Sequence, residues 1–186
     1  RGLFVARDPL GLTPLYISEQ NGEVLLASEM KALADLVDSF DEFPAGSTYL
    51  TGRGIQQAFE IPLGGELILS PDEAIEAILQ TLREAVEKRI VADQPLGVFL
   101  SGGLDSSIIA AFTARARPGV DTFAVGMAGS QDLEHARLCA QHLGTRHHEY
   151  VYDLEEMISL LPTVIRHLES FDAALVRSSV PNFILA

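Results

Sequence analysis

The chain of 186 residues contains no tryptophan, one cysteine and only two lysines, Lys31 and Lys88. Each shortage excludes something. A lone Cys139 builds neither a disulfide framework nor a zinc site, so a reducing, cytoplasmic setting is expected. No apolar run approaches the ~20 residues that a membrane helix needs, the longest being short stretches such as Ile108–Phe112. No leader of the secretory kind, charged then apolar then small, opens the chain. Lys and Arg total 13 against 26 Asp and Glu, a formal net charge of −13, and no basic run exists. Nucleic-acid binders concentrate Lys and Arg, so neither a nucleic acid nor a membrane is an expected partner.

What is present is globular. Apolar residues make up 47% of the chain, with 15 glycines and 9 prolines as punctuation, a balance that argues against extensive disorder. The length is long for one small domain and short for two complete ones. The chain opens on Arg1 and runs straight into apolar Leu3–Ala6. It closes on apolar Pro181–Ala186 without a helix-stop signal. A fragment of something larger is the working expectation.

Residues 1–50 read as β-rich. Leu3–Ala6, Leu15–Ile17, Val24–Ala27 and Ser47–Leu50 have strand character, and Asn21-Gly22 is a strong two-residue hairpin signal. Asp8-Pro9-Leu10-Gly11 is a turn that the Asp8 carboxylate is expected to organise. Ser28 is expected to cap a short helix running from Met30 to Val37. The glycine-containing turns of residues 51–69 suggest an interdomain stretch. Ser70-Pro71-Asp72-Glu73 then announces a helix with a capping box, with an apolar stripe of Ile75, Ile78, Leu79, Leu82, Val86 and Ile90.

From Pro95 the pattern alternates. Strands at Leu96–Leu100, Thr122–Val125 and His148–Tyr152 are followed by helices at Leu104–Ala116, Asp132–Leu143 and Asp153–Glu169. Such alternation implies right-handed βαβ units and an open parallel sheet. The fold class is therefore α/β, a C-terminal open parallel sheet with flanking helices preceded by a β-rich piece, with domains at 1–60 and 61–186.

In an open α/β sheet the ligand lies beyond the carboxyl ends of the strands. There the first sheet strand meets Ser101-Gly102-Gly103-Leu104-Asp105-Ser106-Ser107. Two glycines let successive N–H groups converge on one anion, and the helix that follows adds unsatisfied donors. Ser101, Ser106 and Ser107 supply hydroxyls. Asp105 would repel a bare phosphate but suits a bridging Mg²⁺. The lysine of the Walker-type loop is missing. A plainer alternative is that Ser101 caps a helix and the glycines only permit close packing.

Ser101–Ser107, with the preceding Asp93–Leu100, resembles the pyrophosphatase-type loop of the glutamine-hydrolysing asparagine synthetases. The rest of the chain follows the same family. Arg7-Asp8-Pro9-Leu10-Gly11, Pro14-Leu15-Tyr16, Ala27–Leu33 and Phe43–Gly46 resemble the last third of a class II, N-terminal-nucleophile glutaminase domain. Phe123–Gly126, Asp132-Leu133, Leu143–Thr145, His147–Glu149, Glu169–Asp172 and Val176–Pro181 resemble the synthetase domain.

The resemblance implies a partial αββα glutaminase domain followed by a PP-loop sheet of the adenine nucleotide alpha-hydrolase type. It implies a two-site ligase whose small-molecule substrates are ATP, aspartate and glutamine, with Mg²⁺, and it leaves room for a homodimer. Glutamine-derived ammonia would displace AMP from a β-aspartyl-adenylate. By family position Leu100, Ser101, Gly102, Gly103, Asp105, Ser106, Ser107 and Val125 would hold the nucleotide, with Asp105 the catalytic metal ligand. Leu100 and Val125 read equally as core.

Arg177 matches an arginine that faces the aspartate, a role suited to a guanidinium. An ordinary ion pair with Asp172 or Glu169 is the alternative. The chain departs from the family three residues earlier, where Ala174 replaces an expected threonine. A different carboxylate acceptor (cell-envelope, peptide or β-lactam type) therefore stays open. A degenerate binding module is a third reading, against which an intact loop argues. Cys139 sits mid-helix and cannot be the family's N-terminal nucleophile, so the chain alone is expected to lack glutaminase activity. His147-His148 lacks further ligands at zinc spacing.

Overall fold

The computed structural model describes residues 2–62, 64–65 and 68–186, and the chain divides into two compact units, Arg1–Leu67 and Ile68–Ala186. Part of the stretch 51–69 therefore lies outside the described residues.

The first unit is built from two antiparallel sheets. One has the order β1 (Phe4–Ala6), β5 (Ser47–Leu50), β6 (Gly54–Gln57); the other has β3 (Glu23–Ala27), β2 (Tyr16–Gln20), β4 (Asp41–Glu42). Asn21 and Gly22, at φ 53° and 79°, close the β2–β3 hairpin in the double left-handed form that matches strand twist. Ile17, Phe43 and Tyr49 form the buried core of this unit.

The turn after β1 is tied from two directions. Asp8 accepts from the amides of Leu10 (3.0 Å) and Leu12 (3.0 Å). Arg7 donates to Glu42 (2.8 Å) and to the carbonyls of Phe43, Thr13 and Gly11. The carboxylate thus organises its turn as the sequence suggests.

Two local expectations need correction. The helix expected over Met30–Val37 is a single 3₁₀ turn, Met30–Ala32, whose N-cap is Glu29 rather than Ser28 and which has no side-chain cap. Turn-type bonds such as Leu36 N–H to Leu33 O take over beyond it. Second, residues 54–57, read as part of a connecting stretch, form β6 and pair with β5 from Ser47↔Gln57 to Leu50↔Gly54.

The second unit is α/β with a parallel sheet. Its elements are α1 (Pro71–Arg89), β7 (Gly97–Phe99), α2 (Leu104–Ala116), β8 (Asp121–Met127), α3 (Gln131–Leu143), β9 (Arg146–Tyr152), α4 (Leu154–Leu168) and α5 (Ala173–Leu185). The strands run β7-β8-β9, all parallel. The capping box at Ser70 and Glu73 forms as the sequence announces, and Gly144 ends α3 in the left-handed conformation. No helix among the described residues is long and apolar enough to cross a membrane.

On β8, Thr122, Ala124 and Gly126 are buried and alternate with partly buried neighbours. Ala124 joins Leu100, Ala110, Leu133, Ala136 and Ala140 in the core beneath α2 and α3. Small residues let α3 approach closely; a Cβ on Gly126 would sit 2.9 Å from Leu133 Cγ. The amino ends of β8 and β9 are pinned by charge, with Arg146 bidentate on Asp121 (3.0 and 2.6 Å) and His148 Nε2 2.8 Å from the same carboxylate.

The apolar stripe of α1 is only half used. Val86 is buried, whereas Ile75, Ile78 and Leu79 are exposed. Periodicity reports amphipathicity, not what covers the face. A last helix, α5, occupies Ala173–Leu185, to which the sequence reading assigned none. Asp172 caps it by accepting from Leu175 N–H (2.7 Å), and the helix continues through Pro181.

Candidate active site

A cleft of about 490 Å³ opens at the carboxyl ends of the three strands. The loop after β7 contributes Leu100 and Ser101, and the first turn of α2 Ser106; β8 contributes Ala124, Val125 and Met127; α5 contributes Pro181, Asn182 and Leu185. Leu100 is 1% exposed and its amide donates to Phe123 O (2.8 Å), so it is at once core and cleft floor.

The loop is shaped by Gly102, at φ +76°, where a Cβ would fall 2.5 Å from the Ala136 amide nitrogen. Gly103 then serves as N-cap of α2 without any side-chain cap. The other four α-helices among the described residues are capped by the side chains of Ser70, Ser130, Asp153 and Asp172. The first intrahelical bond of α2 runs from Ser107 N–H to Gly103 O (3.0 Å). The amides of Leu104, Asp105 and Ser106 therefore precede the helical ladder, the kind of helix start that can meet an anion.

The two hydroxyls there engage each other. Ser106 Oγ donates to Gly103 O (3.1 Å), Ser101 and Ser106 lie 2.9 Å apart, and Ser101 Oγ accepts from Gly103 N–H (3.4 Å). Ser101 thus ties the loop to the first turn of α2 and is not the helix cap of the plainer alternative. Of the remaining nucleotide candidates, Gly102, Gly103, Asp105 and Ser107 lie in the loop and first turn of α2, outside the cleft lining itself.

Asp105 is exposed, and among the described residues no hydrogen bond or ion pair engages its carboxylate. Mg²⁺ is commonly held by one or two carboxylates together with substrate phosphates and water. An unengaged carboxylate beside uncapped amides fits such a shared ion. Among the described residues no cluster of three or more His, Cys, Asp or Glu could hold a metal by itself.

Arg177 is exposed on α5, outside the cleft lining, and makes no ion pair among the described residues; Asp172 is engaged in its cap instead. Ala174 lies one turn before Ser178 on the same helix. Four polar lining residues are not among the site residues expected from the sequence: Ser130, Asp132, Tyr152 and Asn182. The first three follow β8 or end β9, so the rule that ligands sit beyond strand ends points to them. Asn182 had no such signal.

Comparison with known proteins follows the same division. The asparagine synthase family model matches residues 77–186, and a glutamine amidotransferase domain model matches residues 1–35. The chain belongs to the asparagine synthase family. It is 38% identical over 198 residues to glutamine-hydrolyzing asparagine synthetase 2 of Arabidopsis thaliana, a match covering 100% of this chain and 34% of that protein. It is 39% identical to the glutamine-hydrolyzing asparagine synthetase of Asparagus officinalis, covering 97% of this chain and 33% of that one. The chain thus spans about a third of the length of these relatives. A solved glutamine-dependent NAD+ synthetase from Acinetobacter baumannii, in complex with ADP, overlaps 91% of this chain and 31% of its own at 18% identity, with a TM-score of 0.41.

Proposed function

We propose that this chain is the nucleotide-binding part of a cytoplasmic ligase that forms asparagine from aspartate, ATP and glutamine-derived ammonia. The observation that carries the reading is the glycine-capped start of α2, where uncapped amides and the Ser101–Ser106 pair meet at the mouth of the cleft. In the first step an oxygen of the aspartate side-chain carboxylate attacks the α-phosphorus of ATP. The bond from that phosphorus to the bridging oxygen breaks, and pyrophosphate leaves. Negative charge grows on the leaving group, and donors already aimed at it stabilise the transition state without reorganising.

The Leu104–Ser106 amides and the Ser107 hydroxyl are those donors, and the Ser101–Ser106 pair, whose hydrogens are spent on Ser106 and Gly103, holds the loop that presents them. Asp105 would hold Mg²⁺, which when bound neutralises phosphate charge. Leu100 and Val125 would pack on the adenosine from neighbouring strand ends. In the second step ammonia attacks the acyl carbon, the bond to AMP breaks, and the surplus proton passes to solvent. Arg177 would pair with the acceptor. Unit one, by this reading, is the end of an αββα glutaminase domain, and unit two the start of a PP-loop domain.

The test is aspartate-dependent ATP–pyrophosphate exchange by the complete polypeptide that carries this chain. Exchange that requires aspartate is the expected result. Ala174, which offers a methyl group where a hydroxyl is expected, supports a second acceptor; exchange driven by another carboxylate and not by aspartate would establish that instead.

A further inference from the structure

We infer that Asn182 reads the adenine edge of the nucleotide, an inference that rests on the ATP reading above. The loop and the α2 terminus account for the phosphates. What remains of the cleft near the end of β8 is mostly hydrocarbon from Leu100, Val125, Met127, Pro181 and Leu185, a surface that holds a flat base but does not distinguish one base from another. Discrimination needs a polar group that matches the base edge.

Four side chains outside the loop bring polar atoms to the lining. Ser130 accepts from Leu133 N–H (3.4 Å) as the cap of α3, which leaves it a single O–H. Asp132 carries a carboxylate, which accepts but cannot donate. Tyr152 offers one hydroxyl. Asn182 alone among the described lining residues carries a primary amide, with two donors and an acceptor in one plane.

That amide is already oriented. Its Nδ2 donates one hydrogen to Ser178 O one turn earlier on α5 (3.3 Å), which fixes which end is nitrogen. The second N–H and Oδ1 are left for the cleft. Adenine presents N7 as an acceptor beside the N6 amino donor, and an asparagine amide satisfies both at once. Hypoxanthine and guanine present O6 in place of the N6 donor and leave Oδ1 facing another acceptor.

The test is ATP–pyrophosphate exchange by the complete enzyme with ATP and with 7-deaza-ATP, in which C–H replaces N7, for wild type and Asn182→Ala. Loss of one neutral hydrogen bond corresponds to about a tenfold change. Wild type should use 7-deaza-ATP with kcat/KM about tenfold below that for ATP. Asn182→Ala should lose at least that factor with ATP and suffer no further loss with 7-deaza-ATP. Alanine is a better helix former than asparagine, and position 182 is exposed, so the variant should fold.

Equal use of the two nucleotides by wild type overturns the inference, and that comparison needs no variant. So does an Asn182→Ala enzyme that still discriminates, or one whose only change is a higher KM for aspartate. Absence of exchange in wild type with either nucleotide would instead overturn the ATP reading itself.

Discussion

Gly102 lies directly against the backbone of Ala136. A Cβ at position 102 would come within 2.5 Å of the Ala136 amide nitrogen and of His135 Cβ. The loop before α2 is thereby seated on α3, and α3 in turn is packed on β8 through Leu133, Ala136 and Ala140. Loop geometry is fixed by a close approach between two backbones that only glycine allows.

Gly102→Ala should therefore reshape the loop. Its left-handed φ alone costs alanine about 1–2 kcal/mol, and helix backbone cannot yield as a flexible side chain can. The expected outcome is lower stability and loss of ATP–pyrophosphate exchange. Gly119, at φ +74° with nothing within 4 Å of a built Cβ, isolates the conformational cost. Gly119→Ala should lose comparable stability to the φ penalty and keep full exchange. If Gly102→Ala matched Gly119→Ala in both denaturant midpoint and exchange, the close approach would have no functional weight.

The metal role proposed for Asp105 predicts a loss of charge without a loss of structure. Its carboxylate has no partner among the described residues, so Asp105→Asn should leave the thermal midpoint nearly unchanged. Removing one preorganised group that stabilises transition-state charge typically costs about 10²-fold or more. Exchange in the complete enzyme should fall by at least that much, and its dependence on Mg²⁺ concentration should shift upward. Wild-type exchange in Asp105→Asn would overturn the metal role proposed for this residue.

The loop was legible because its chemistry is local. Consecutive glycines, an acid and paired hydroxyls after an apolar strand determine their own geometry, and so do Asp8 in its turn and Ser70 with Glu73 at a helix start. What could not be read depends on distant partners. Met30–Ala32 has helix-forming residues, yet turn-type bonds end it after one 3₁₀ turn. β6 has little apolar content over Gly54–Gln57 and becomes a strand only because β5 offers its edge. Helix α5 was missed because Pro181 reads as a breaker. The Asp172 cap and tertiary packing override it, and with α5 went Asn182.

Burial, not periodicity, should decide what substitutions in α1 do. Val86 is 6% exposed and Ile78 57% exposed, although both lie on the same apolar stripe. Val86→Ala removes two buried methyl groups and leaves a cavity, a loss of about 2 kcal/mol. Ile78→Ser should change the stability of this chain by no more than about 0.5 kcal/mol. Urea titrations of both variants test the contrast. Equal losses would mean that Ile78 is covered by something in solution.

The Asp121 cluster predicts an acid limit. Hydrogen bonds from Arg146 and His148, reinforced by their charge, outweigh desolvation and hold the Asp121 carboxyl at about 2, below its ordinary 3.8. A carboxyl whose folded value lies below its unfolded value stabilises the fold fully above the unfolded value. That contribution fades as pH falls through the folded value. The cluster is solvent-accessible, so salt screens it and its contribution is modest. Wild type should lose stability between about pH 4 and about pH 2, more steeply at low ionic strength. Asp121→Asn, which cannot titrate, should start lower at neutral pH and lose less across that window. Parallel pH profiles of the urea midpoint for the two proteins would show that the cluster contributes nothing to acid stability.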